Sequence, residues 1–296
     1  MRIAITGSSG KLGRAACRRL RDGGHRVLGL DRAGAPGPDF TMIDFTDYGQ
    51  TLDAVLGITA RHDGLDAMVH LAAIPVNGLV PDATVFHNNL ISTFNVFHAC
   101  LRAGIDRIVY ASSITAMGFP FSEPPVYLPL DEGSGGRANG TYALGKVLEE
   151  TMAGQLVRWS ESLSITALRF SNVTQQGEYA TFAERCADPG YRRDLVWSYI
   201  DSRDGAQLID RALQHGRPGF EVYNAAATDT GLTVPSADLV AGAFPDVPVT
   251  KALGRHETLM SVDKAVRQLG YRPEHLWRDE LEREGISLDG PLQETP

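Results

Sequence analysis

MRIAITGSSGKLGRAACRRLRDGG, residues 1–24, is the stretch from which the rest of the chain can be read. Residues 2–6 (RIAIT) are a short β-rich run. They lead straight into Gly7-Ser8-Ser9-Gly10-Lys11-Leu12-Gly13, a G-x-x-G-x-x-G spacing. Residues 11–22 then place Leu12, Ala15, Ala16, Arg19 and Leu20 at helical spacing, and Gly23-Gly24 stops the run. A glycine turn between a strand and a helix is the setting in which bare main chain can approach a pyrophosphate. Gly7 permits the tight turn, Gly10 removes a Cβ from the ligand's side, and Gly13 lets the helix lie close to the strand. The helix N-terminus faces the negative charge. A dinucleotide cradled by Gly7, Gly10, Lys11, Leu12 and Gly13 is therefore expected.

Outward from this unit the alternation continues. Residues 26–30, 41–43, 66–71, 107–111 and 164–170 read as strands, and 48–56, 82–103 and 141–161 as helices. The strands are continuous apolar runs, as in a parallel sheet covered on both faces. The expected fold is α/β: a Rossmann-type doubly wound parallel sheet over residues 1–172, with a smaller C-terminal substrate-binding part. Residues 173–288 form that mixed region, with segments such as 220–223 returning to the sheet, and residues 289–296 form a frayed tail.

Asp31, at the end of the second strand, lies about 20 residues past the glycines, where a carboxylate can bond ribose hydroxyls. It would repel a 2′-phosphate, so NAD is favoured. Arg32 beside it pulls the other way and leaves NADP open. Asp44, just after the third strand, can bond an adenine amino group or cap the strand end.

The 296 residues are 43% hydrophobic and 22% charged, enough for a real core, and the net charge is -8. That balance argues against sequence-independent nucleic-acid binding. Cys17, Cys100 and Cys186 are too few and too scattered for a disulfide framework or a zinc site, and His87 and His98 give no reason for a metal, so none is expected. The opening run lacks the long apolar core and cleavage site of a signal peptide, and no window has the ~20 apolar residues of a membrane helix. A cytoplasmic protein without membrane contact is expected.

Tyr142 and Lys146 stand at i and i+4 on one helix face. An ammonium near a phenol favours the phenolate, as does a nicotinamide cation, so Tyr142 can serve as acid or base. Ser112 and Ser113 close the fifth strand, at the sheet end where open α/β sheets bind ligands. Ser113 can bond the substrate oxygen that Tyr142 serves, and one of the two serines does turn chemistry only. His70 reads as a core strand-end residue.

These residues carry a resemblance. Residues 6–13 (TGSSGKLG), Asp31, residues 70–73 (HLAA), 88–95 (NNLISTFN) and 110–113 (YASS) match in order. So do Tyr142 to Lys146, residues 167–173 (ALRFSNV) and 199–204 (YIDSRD). The chain resembles an extended short-chain dehydrogenase/reductase of the NAD-dependent epimerase/dehydratase family. The resemblance implies Ser113, Tyr142 and Lys146 as the catalytic triad, with Lys146 also holding the nicotinamide ribose. It implies main chain of Leu71, Ala72 and Ala73 along the cofactor, Asn89 near the active site, and a homodimer through helices 82–103 and 141–161.

Departures narrow the reading. Dehydratases of the family carry Thr-Asp-Glu where Ser113-Ile114-Thr115 stands, so elimination of water lacks its acid and base. Residues 173–199 are short beside the insertion that grips a nucleoside diphosphate, which resembles compact members such as uronate dehydrogenases. Ile74, Ser113, Thr115, Asn172 and Arg192 are the substrate-side candidates. Arg185, Arg192 and Arg193 are candidates to pair a carboxylate, Trp197 and Tyr199 to stack on a sugar, and residues 131–140 to form a gate. The expected activity is an NAD(P)-dependent oxidoreductase acting on a secondary alcohol or hemiacetal of a small polar substrate, a sugar or sugar acid. The alternatives are an NAD-dependent (nucleotide-)sugar epimerase and a non-catalytic NAD-binding sensor or scaffold.

Overall fold

The computed structural model describes residues 1–57 and 62–288, and the tail expected to fray at 289–296 lies outside them. Strand β1 (Arg2–Thr6) passes through the glycine turn into α1 (Lys11–Asp22), followed by β2 (Arg26–Asp31), β3 (Phe40–Met42), α2 (Tyr48–Leu56) and β4 (Ala67–His70). Then come α3 (Asp82–Ala103), β5 (Arg107–Ser113), α4 (Thr141–Leu156) and β6 (Ser164–Phe170). Two short strands, β7 (Val173–Thr174) and β8 (Ile200–Asp201), flank α5 (Ala180–Arg185). Helix α6 (Ser202–His215) leads to β9 (Gly219–Ala225), and α7 (Ser236–Ala243), α8 (Asp263–Leu269) and α9 (Trp277–Arg283) end the fold.

The main sheet has seven strands in the order β3-β2-β1-β4-β5-β6-β9, all parallel. The order reverses between β1 and β4, so the crevice for a ligand opens at their carboxyl ends. Side-chain alternation sends Ile3 and Ile5 to one face, where Ala16, Cys17 and Leu20 of α1 and Leu208, Ile209 and Leu213 of α6 cover them. Ala4 points to the other face, against Val55 of α2, Phe97 and Cys100 of α3 and Leu156 of α4. Burial on both faces explains why the strands carry no polar alternation. Strand β9 pairs with β6 in register from Ser164↔Gly219 to Phe170↔Ala225, so chain beyond residue 173 completes the sheet. Among the described residues no helix is long and apolar enough to cross a membrane.

Candidate active site

The glycine turn is fastened from below. Thr6 Oγ1 lies 2.7 Å from His70 Nδ1 and accepts the main-chain N–H groups of Leu71 and Ala72, each at 3.1 Å. Gly7 has φ +67°, and a Cβ there would stand 2.7 Å from Ala72 N. A Cβ on Gly13 would stand 2.0 Å from Gly7 O, so α1 meets the turn backbone to backbone. Gly10 differs. Its backbone is extended (φ −73°, ψ 170°), and an added Cβ would meet only Gly7 O, at 3.3 Å. Its bare side thus opens into a cleft of about 300 Å³.

Gly7, Gly10, Leu71, Ala72, Ala73 and Ile74 line that cleft together with Asp31, Arg32 and Asp44. The Asp31 carboxylate is fixed by Ser9 N–H at 2.9 Å and Arg32 N–H at 2.8 Å, and each oxygen keeps lone-pair capacity. The Asp44 carboxylate accepts Thr46 N–H and Oγ1–H at 2.9 and 2.7 Å. It therefore caps the strand end while lining the cleft. These features fit a dinucleotide: bare main chain at Gly10, a helix N-terminus, and a carboxylate at the end of β2.

Three residues expected at the cofactor have side chains with protein partners of their own. Lys11 Nζ donates to Val173 O at 3.1 Å and Glu178 Oε2 at 2.6 Å. Leu12 packs into the core. Asn89 is buried and spends its amide on the Ile74 main chain, accepting N–H at 2.8 Å and donating to C=O at 2.9 Å. Its side chain braces the lining loop from behind. A larger cleft, about 440 Å³, lies on the outer side of α1. Its Lys11, Arg19 and Arg203 are already paired with Glu178, Asp210 and Asp201, so it offers less free charge than its composition suggests.

Past the cleft, β5 and α4 bring three side chains together. Ser113 Oγ accepts Thr115 N–H at 3.2 Å, and its hydroxyl faces the Tyr142 phenol. Neighbouring Ser112 donates to Glu150 Oε1 at 2.6 Å and is the structural member of the pair. Glu150 also takes two bonds from buried Arg169, at 2.8 and 2.7 Å, tying α4 to β6. Asn77 accepts Tyr142 N–H at 2.9 Å and fixes the start of α4. Lys146 Nζ lies 5.7 Å from the Tyr142 ring centroid. It donates to Ala111 O at 2.7 Å and Glu149 Oε2 at 2.8 Å.

The electrostatics differ from the sequence expectation. Lys146 does act to lower the Tyr142 pKa, but burial outweighs it and Glu149 adds to the rise, so the phenol sits above its ordinary value. Burial opposes the Lys146 charge, yet Glu149 and Tyr142 hold the ammonium above its usual range. Burial raises Glu149, against the pull of Lys146 and the adjacent Thr93 hydroxyl. His70, pushed down to about 3 by burial and Lys146, is a neutral core residue bonding Thr6 and Thr93.

On the substrate side, Ile74 is buried at the cleft, and the Thr115 hydroxyl is buried without a partner. Asn172, with its amide oxygen turned toward it, accepts two bonds from Arg192 at 2.8 and 3.3 Å. The Arg192 guanidinium lies 5.1 Å from the Phe182 ring centroid and 5.2 Å from that of Tyr191. Arg193 is not beside it: its guanidinium donates to Ala243 O at 2.7 Å. Trp197 and Tyr199 are fully buried, so neither offers a face to a sugar. The 131–140 segment is anchored rather than free at its first half, because Glu132 O accepts Arg169 Nη1–H and its carboxylate accepts Asn224 N–H. The sequence reading passed over Glu149, Glu150 and Arg169. The i+3 and i+4 spacing from Lys146 was visible, but acidic residues on helices normally face water.

The NAD dependent epimerase/dehydratase family model matches residues 3–226. The chain is 37% identical over 115 residues to L-arabinose 1-dehydrogenase (NAD(P)(+)) of Haloferax volcanii, covering 38% of this chain and 41% of that protein. It is 27% identical over 185 residues to UDP-glucose 4-epimerase of Bacillus subtilis, covering 58% of this chain and 52% of that protein. The matched stretch thus spans about half the length of these relatives. A short-chain dehydrogenase/reductase superfamily protein from Agrobacterium tumefaciens, solved with bound NAD, superposes with TM-score 0.71 at 21% identity, over 96% of this chain and 95% of that one. That likeness is one of fold.

Proposed function

Because the chain belongs to the NAD-dependent epimerase/dehydratase family, we propose that it is an NAD-dependent oxidoreductase of a secondary alcohol or hemiacetal carbon on a sugar or sugar acid. The observation that carries this reading is the meeting of Ser113, Tyr142 and Lys146 at the sheet end beside the glycine-turn cleft. Gly7, Gly10, Asp31 and residues 71–73 hold the dinucleotide, and Asp31 selects NAD. When bound, the oxidised nicotinamide supplies the hydride acceptor. Tyr142 takes the proton of the substrate hydroxyl in oxidation and returns it in reduction. Ser113 Oγ orients the same oxygen. Lys146 keeps its third N–H for the ribose, since Ala111 and Glu149 take two. Ile74, Thr115, Asn172 and Arg192 shape the substrate side, with the Arg192 guanidinium set to meet a carboxylate.

We further place the protein in the cytoplasm as a homodimer through α3 and α4, whose Ile91, Phe94 and Leu144 are exposed. Residues 1–172 carry the cofactor and 173–288 the substrate side. A screen of free sugars, uronates and nucleotide-sugars with NAD, read as NADH absorbance, tests the activity. Tyr142→Phe should abolish turnover while NAD binding stays near native. Full activity in that variant would sink the mechanism. The epimerase reading rests on the UDP-glucose 4-epimerase relative. Sugar interconversion without net NADH would favour it.

A further inference from the structure

We propose that Glu149 is a positioning residue of this site, which binds Lys146 in a buried pair and so offsets part of the pull of the ammonium charge on Tyr142. The inference rests on the reading of Tyr142 and Lys146 as acid–base machinery. Its basis is geometric. Lys146 is 4% and Glu149 0% exposed at the side chain, and Nζ stands 2.8 Å from Oε2. The Nζ group is held a second time by Ala111 O at 2.7 Å, which aims it along β5 toward Ser113 and the phenol. The other carboxylate oxygen, Oε1, is buried and makes no well-formed hydrogen bond, with only the Thr93 hydroxyl of α3 turned toward the carboxylate. A buried carboxylate carries a desolvation cost that a helix needing only packing would avoid with an apolar side chain.

Few charges surround this pair. From α3 the Thr93 hydroxyl faces Glu149, and from β4 His70 lies near Lys146 but stays neutral. From β5 the buried Tyr110 hydroxyl is held protonated by its surroundings. On α4 itself, Glu150 raises both partners, and Arg169 of β6 answers its charge at 2.7 Å. Glu149 is thus the anion that balances Lys146. In the cofactor-free protein the phenol keeps its proton, and an added positive charge at the ribose end of the cleft is what tips Tyr142 toward the base form. Base strength then appears only in the complex that can use it.

The test needs neither cofactor nor substrate. The ultraviolet band of tyrosinate is followed against pH in the native protein and in Tyr142→Phe, and the difference isolates one phenol. In the native protein that phenol should ionise no lower than free tyrosine, near pH ~10. In Glu149→Gln, which keeps an oxygen for Lys146 but no charge, ionisation should shift down by on the order of one pH unit or more. Glu149→Asp, which keeps the charge, should leave it near the native position. An unmoved titration in folded Glu149→Gln overturns the proposal. A Tyr142 that ionises near neutral pH in the native protein overturns it too, even if the glutamine variant does not fold. Absence of any dehydrogenase activity would instead count against the functional reading, because the phenol titration stands without it.

Discussion

Gly13→Ala and Gly10→Ala should separate two duties of the glycine turn. A Cβ on Gly13 would lie 2.0 Å from Gly7 O and 2.8 Å from Ser8 Cα, both backbone atoms that no rotamer change can move. Reaching even 3 Å from that oxygen requires about 1 Å of separation between α1 and the turn. Overpacking of this kind costs about 3 kcal/mol at the upper end of its usual range. Alanine recovers about 1 kcal/mol of helix propensity, since Gly13 lies within α1. The net loss is about 2 kcal/mol, or roughly 0.7 M in urea midpoint for a slope near 3 kcal/mol/M. Gly10 has ordinary extended backbone, and an added Cβ would meet a single atom, Gly7 O, at 3.3 Å, where a shift of a few tenths of an ångström suffices, so Gly10→Ala should unfold within about 0.5 kcal/mol of native. Its methyl group would stand in the cleft, so NAD affinity should fall at least tenfold, a loss of about 1.4 kcal/mol. Urea unfolding and calorimetric NAD titration of both variants measure the two effects. A Gly13→Ala protein of native stability, or a Gly10→Ala protein that binds NAD normally, would refute the reasoning.

Other outcomes follow from the same structure. Glu150→Ala strips buried Arg169 of its bidentate partner and should destabilise by about 3–5 kcal/mol in urea unfolding, since it leaves a buried charge uncompensated. Asp31→Ser should weaken NAD about tenfold or more while improving NADP relative to it, because Arg32 remains at the rim; titration with both cofactors checks this. His275 is raised above its ordinary pKa, chiefly by its hydrogen bond to Asp204. Its contribution is therefore full below the unfolded value near pH ~6.5 and fades as pH rises through the folded value. His275→Gln should lose more stability at pH 6 than at pH 9, and equal losses at both would contradict the assignment.

Much of the fold was legible because its signals are local. Residues 2–24 hold strand, glycine turn and helix together, and burial on both faces wrote apolar runs into β1, β4, β5 and β6. The cleft residues Gly10, Asp31 and Ala72 could be named for the same reason: each sits at a strand end fixed by its own motif. What escaped reading depends on distant partners. Nothing near Asn89 says that its amide closes on Ile74, and nothing near Lys11 points to Glu178, 167 residues away. Glu149 looks like any helix-surface acid until α3 is laid over it. The Tyr–Lys spacing shows the lowering pull of the ammonium, but not the burial that outweighs it in this structure, nor the Glu149 carboxylate 2.8 Å from the ammonium that adds to the rise.

The last strand of the sheet has a consequence for how the chain is made. On a ribosome, β6 emerges with its β5 edge satisfied and its other edge bare, and it stays bare until residue 225 has cleared the exit. A fragment ending at residue 172 would keep that bare edge for good, with seven buried residues along it and its one charge, Arg169, already held by Glu150, so little discourages a second copy from pairing there. Residues 219–225 therefore cover an edge that the earlier chain cannot cover for itself, and attempts to produce residues 1–172 alone should yield aggregates unless residues 219–225 are supplied with them.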